Sequence, residues 1–121
     1  MRKNRKGSAA PNKKQQTIEE GLECYSVKSM PQNVKERSNG LVNCENDITK
    51  AVTTLMEGET VGNATWCKNR MDTLSGVAFV VESEIFVNYD KMKLMEKLLG
   101  GEVALRAIGN DLWLVTVFWL D

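Results

Sequence analysis

The chain has no histidine. That removes Ser-His-Asp and Cys-His catalysis, imidazole general bases and every metal site built on imidazole. Cysteine is scarce too: Cys24, Cys44 and Cys67 are odd in number and far apart, with no Cys-x-x-Cys pair. Three scattered thiols make neither a disulfide framework nor a four-thiolate zinc site, so the sequence reads as carrying buried free thiols. Neither Gly-x-x-x-x-Gly-Lys nor Gly-x-Gly-x-x-Gly occurs, which removes the common phosphate-cradling loops. No cofactor is implied.

Long apolar runs are missing as well. The longest, Leu112 to Leu120, includes Thr116 and is far short of the roughly 20 residues that span a bilayer. The basic start is followed by Gly7, Ser8, Ala9, Ala10 and Pro11 in place of the apolar stretch of a signal peptide. The expectation is a cytoplasmic or nuclear protein that is not secreted and has no membrane partner. Asn63-Ala64-Thr65 matches a glycosylation acceptor, but without an export signal Asn63 reads better as a helix cap.

What is present is a separation of charge. The whole chain has 16 basic and 16 acidic residues. Arg2, Lys3, Arg5, Lys6, Lys13 and Lys14 fall in the first fourteen residues, where no acid occurs. Setting those six aside leaves 10 basic against 16 acidic residues from Gln15 to Asp121, so the formal charges are +6 and −6. A cationic tail on an acidic body suits a polyanion, a targeting receptor or an acidic protein face. The arm has no aromatic side chain on which a base could stack, so nucleic acid, RNA or DNA, would be held through phosphates with little sequence preference. A nuclear import signal and a solubilising tail are the other readings.

At 121 residues and 42% hydrophobic, the chain supports one core. Residues 1–16 read as a disordered basic arm and residues 17–121 as one compact α+β domain. Thr17 and Glu20 form a capping-box pattern for a short helix through Leu22 and Tyr25. Pro31 opens another that ends before Gly40. Ile48, Ala51, Val52, Leu55 and Met56 make one apolar stripe, predicting a helix over 47–57 with Asp47 as N-cap and Gly58 at its end. A further helix over 64–74 would bury Cys67, Met71 and Leu74.

Beyond Ser75-Gly76 the pattern turns to strands. The run from Val77 to Val87 reads as one strand, with or without a bulge, in preference to a hairpin pivoting near Ser83, because Glu82-Ser83-Glu84 lacks the Gly or Asn of a tight turn. Asp90 then caps a helix through Met92, Met95, Leu98 and Leu99, stopped by Gly100-Gly101. Glu102 to Ile108 and Asp111 to Leu120 flank Gly109-Asn110, suited to a two-residue hairpin turn. That register sets Ala107 against Leu112, Leu105 against Leu114 and Val103 against Thr116. The expected order is therefore basic arm, several helices, then β-α-β-β with a C-terminal hairpin.

Three groups are candidates for function. The six arm cations would contact nucleic acid. Trp113, Phe118 and Trp119 lie on a strand apolar on both faces; they read as core or as an oligomer interface that forms a homodimer or larger species. Glu82, Glu84 and Asp90, near Lys91 and Lys93, loosely suggest a metal-dependent nuclease, but surface charge explains them better and neither a catalytic nor a metal site is assigned. Lys91, Lys93 and Lys97 with Arg106 would extend a cationic footprint or simply form a solvated face. The leading expectation is a small non-enzymatic nucleic-acid-associated protein that self-associates through its C-terminal β region. The alternative is an adaptor or inhibitor whose acidic core docks on a basic partner. A basic arm ahead of a compact, oligomerising domain is a layout shared by small nucleic-acid-associated and viral proteins, an analogy of architecture alone.

Overall fold

The computed structural model describes residues 24–121. Over that span the chain runs β1 (Cys24–Val27), α1 (Gln32–Arg37), α2 (Glu45–Met56), β2 (Glu59–Asn69), β3 (Leu74–Glu82), α3 (Tyr89–Leu99), β4 (Glu102–Gly109) and β5 (Leu112–Leu120). The strands form one antiparallel sheet in the order β1-β2-β3-β5-β4. The mixed α+β class and the closing β-α-β-β unit agree with the sequence. The helix count and order do not, because two strands lie in the half expected to be helical.

The helix expected over 64–74 is the main correction. Thr60, Val61, Thr65 and Trp66 are strand formers, and β2 pairs with β3 over Glu59–Val61 and again over Thr65–Lys68, with a register shift between the two stretches. The spacing of Cys67, Met71 and Leu74 spans a turn: Met71 is 79% exposed. Asn69 builds that turn, its Oδ1 accepting from the amides of Thr73 (2.9 Å) and Leu74 (2.8 Å). Tyr25, expected at the end of a helix, belongs to β1; Thr17 to Leu22 lie outside the described residues.

Helix α2 starts two residues earlier than expected. Cys44 is its N-cap, and Asp47, at the third helical position, accepts from the amides of Asn43 (2.7 Å) and Cys44 (3.2 Å). Its end is Glu57 in the left-handed region, and Gly58 serves a different need, since a Cβ there would strike the Glu82 carbonyl. In α3 the cap is Asn88, whose Oδ1 accepts from the Lys91 amide at 2.9 Å. Asp90 sits in the first turn, favourable to the helix dipole. Gly100, at φ +74°, ends the helix as expected.

Strand β3 stops at Glu82 and does not run on to Val87. Ser83 is buried and fully occupied: its amide donates to Asp111 O (2.7 Å), its hydroxyl to Met56 O, and its Oγ accepts from the Ile85 amide (3.1 Å). These bonds turn the chain out of the sheet, leaving Phe86 exposed. The β4–β5 hairpin forms, but one residue off the expected register: Ala107 faces Trp113, Leu105 faces Val115 and Val103 faces Val117. An irregularity between Ala107 and Gly109, with Asp111 at φ 56°, absorbs the extra residue.

All three helices cover one face of the sheet. Val34, Ile48, Val52, Met56, Met95 and Leu99 pack against Trp66, Val77, Phe79, Val81, Val115, Val117 and Trp119. On the other face Cys24, Cys67 and Ala78 form a small second cluster, and none of the described helices packs there. Cys24 and Cys67 are buried, as expected; Cys44 is exposed at the N-cap of α2.

Candidate functional site

Each strand side chain alternates between the two faces, and this separates the three aromatic candidates. Trp119 is 1% exposed, its ring centroid 6.3 Å from that of Trp66 and its Nε1 donating to Leu99 O at 2.9 Å. Trp113 lies on the same helix-covered face, half-buried against the core, with Nε1 donating to Ser83 O at 3.2 Å. Phe118 lies alone of the three on the opposite face, beside Gly76 of β3 and Glu102 of β4. The two tryptophans thus serve the core of one copy, and sealing the sheet does not require them at a contact.

What the hairpin presents outward is the edge of β4. Among the described residues β4 has a single neighbouring strand, β5. The Val103 amide donates to Glu96 Oε2 of α3 at 3.0 Å, so this group points away from β5. Glu96 also pairs with Lys93 Nζ at 3.3 Å, and that Lys93 ammonium lies 5.3 Å from the Tyr89 ring centroid. Hydrogen bonding to the Glu96 carboxylate holds the Lys93 pKa above its ordinary value. Gly100-Gly101 makes this contact: the tight reversal brings α3 back over the start of β4. No spacing rule links Glu96 to Val103, so the sequence carried no signal for it.

Lys91, Lys93, Lys97 and Arg106 do not form one free cationic footprint. Lys91 Nζ donates to Leu55 O at 3.3 Å and ties α3 to α2, while Lys93 is held by Glu96. Arg106 also has a partner within the chain.

A second feature is electronegative. Glu57 and Glu59 flank the start of β2, Glu82 and Glu84 flank the end of β3, and Asp111 closes the β4–β5 turn. Together with Gly58, Ser83 and Ile85 they line an open depression of about 620 Å³. Register explains the convergence, since Glu59 faces Glu82 and Glu82 faces Leu112. Asp90 does not line it. Among the described residues no group of three or more His, Cys, Asp or Glu is arranged to hold a metal ion. Chemically this end of the sheet repels phosphate and favours cations.

Arg2, Lys3, Arg5, Lys6, Lys13 and Lys14 lie outside the described residues. Among the described residues no helix is long and apolar enough to cross a membrane. No family model, curated protein or solved structure matches this chain.

Proposed function

We propose that this chain is a small non-enzymatic nucleic-acid-associated protein that grips phosphates through its basic arm and self-associates through its C-terminal β region. The separation of charge carries the reading: six cations and no acid in the first fourteen residues, against an excess of six acids in the remainder. The acidic depression supports it, because a body that repels phosphate confines contact to the arm and limits sticking elsewhere. With no stacking group on the arm, binding is through phosphates and tolerant of sequence.

The test is the dependence of affinity on salt. Six phosphate contacts give a log–log slope of about −5 on duplex DNA and about −4 on a single strand. Deleting residues 1–14 removes most binding and flattens the slope. Truncated protein that binds as well as the full chain would refute the reading, as would a full chain that fails to bind at low salt. The same carboxylates favour a second reading, an adaptor that docks on a basic protein with the arm as a nuclear-targeting or solubilising tail. That reading takes over if the arm proves irrelevant to nucleic acid.

A further inference from the structure

In an antiparallel pair, residues whose N–H and C=O groups engage the neighbouring strand alternate with residues whose groups point away. The Val103 amide bonds to Glu96 and not to β5, which fixes the phase along β4. The outward groups therefore belong to Val103, Leu105 and Ala107. Among the described residues only the first has a partner outside β5, the α3 carboxylate, and that carboxylate is itself steadied by Lys93. Edge strands left open are templates for another strand, and an inward-turned charge is one device that blunts them.

We propose that Glu96 guards the β4 edge and that the strand it excludes is β4 of a second copy. The outward groups are self-complementary about a two-fold axis at Ala104. In that register Val103 of each copy exchanges hydrogen bonds with Leu105 of the other, once Glu96 has released the Val103 amide. Glu102 then stands opposite the second copy's Arg106, twice, at the closely spaced positions where opposite charges attract. Small Ala104 faces its own counterpart. Moving the axis to Leu105 forms neither ion pair, and moving it to Arg106 sets like charges face to face. Arg106 need not give up its partner within the chain, because a guanidinium has five donors. Glu102 and Arg106 are both exposed. This occupant deepens the proposed self-association through the C-terminal β region and is independent of the arm.

The experiment is sedimentation equilibrium of the full chain without nucleic acid, comparing wild type with Glu96→Ala, Glu96→Gln and charge reversals in the alanine background. Freeing one amide per copy from a charged acceptor tightens the dimer dissociation constant at least about ten-fold in Glu96→Ala. Glu96→Gln, whose amide oxygen still accepts from Val103, stays nearer to wild type. Adding Arg106→Glu to Glu96→Ala weakens the dimer, and adding Glu102→Arg to that double variant restores it. A wild-type dimer that Glu96→Ala leaves unchanged overturns the guard while sparing self-association. Chains that all remain monomeric at the highest concentrations overturn both. A tightened dimer that the charge swap fails to rescue overturns the Ala104-centred pairing.

Discussion

Trp66 and Trp119 offer a matched test of how a buried indole N–H contributes to this fold. The rings lie 6.3 Å apart in one core, and both are at most 2% exposed. Replacing either by phenylalanine removes a similar group of ring atoms, a loss of about 1–2 kcal/mol. They differ at Nε1. That of Trp119 donates to Leu99 O at 2.9 Å, whereas that of Trp66 is buried with no hydrogen-bond partner among the described residues. In Trp119→Phe the Leu99 carbonyl, in the last turn of α3, is left buried and unpaired, adding about 1–3 kcal/mol. In Trp66→Phe an unpaired donor disappears, returning about 1–2 kcal/mol. The net expectation is a loss of about 2–5 kcal/mol for Trp119→Phe and a change within about 1 kcal/mol of zero for Trp66→Phe. For a domain of about 100 residues each kcal/mol shifts Tm by about 4–8 °C. Thermal and urea unfolding followed by far-ultraviolet circular dichroism reads the difference directly. Equal losses in the two variants, or a larger loss for Trp66→Phe, would refute the reasoning.

Tyr25 OH donates to Asp72 Oδ1 at 2.6 Å, and that bond raises the phenol pKa above its ordinary 10.0. Because the folded pKa is the raised one, the contribution is complete below pH 10 and lost as pH climbs through the folded value; spectrophotometric titration should show Tyr25 titrating late, and Asp72→Asn should bring it back down. At Gly101 a Cβ would lie 2.7 Å from Trp119 Nε1 and 2.8 Å from Phe118 O, so Gly101→Ala should cost about 1–3 kcal/mol, as in overpacked cores, measured as a fall in the urea midpoint. Asp47→Ala removes the acceptor for two amides at the start of α2 and should cost about 1 kcal/mol by the same assay. Glu82→Gln and Glu84→Gln each remove repulsion from phosphate, so nucleic-acid affinity should hold or rise slightly in filter binding; metal-dependent cleavage that vanishes in these variants would reveal an active site.

Periodicity carried the parts of the fold that depend on one face of one element. The stripe Ile48, Val52 and Met56 is fully buried as its spacing implies, and Met95 and Leu99 do the same for α3. Where two signals coincided the sequence misled. Cys67, Met71 and Leu74 satisfy a helical period, but they belong to two strands and the turn between them, and pairing with β3 decided the matter. The hairpin register failed by one residue because the irregularity before Gly109 is a backbone event with no composition to announce it. Ser83 shows the same limit: its three bonds reach α2, the β4–β5 turn and Ile85, and only the last is near in sequence, within reach of a local pattern. For the candidate site, the aromatic cluster was visible, and strand parity already set Trp113 and Trp119 on one face and Phe118 on the other; which of those faces the helices cover followed only from the packing. The acidic convergence needed the sheet order, and the Glu96–Val103 contact needed the reversal at Gly100-Gly101.

The sheet order has a consequence for synthesis. β5, the last of the five strands to be made, is inserted between β3 and β4 and pairs with both. Until it leaves the ribosome, β3 has only β2 beside it among the described strands, and the hydrophobic side of α3 has no completed floor to rest on. A nascent chain paused before Leu112 therefore exposes Val77, Phe79 and Val81 along an unpaired flank, the species most open to chaperone capture or to mispairing with a neighbouring nascent chain. Cooperative closure waits on nine residues, and folding on the ribosome should appear as one late step once Leu112–Leu120 emerges, with little protection of β3 before it.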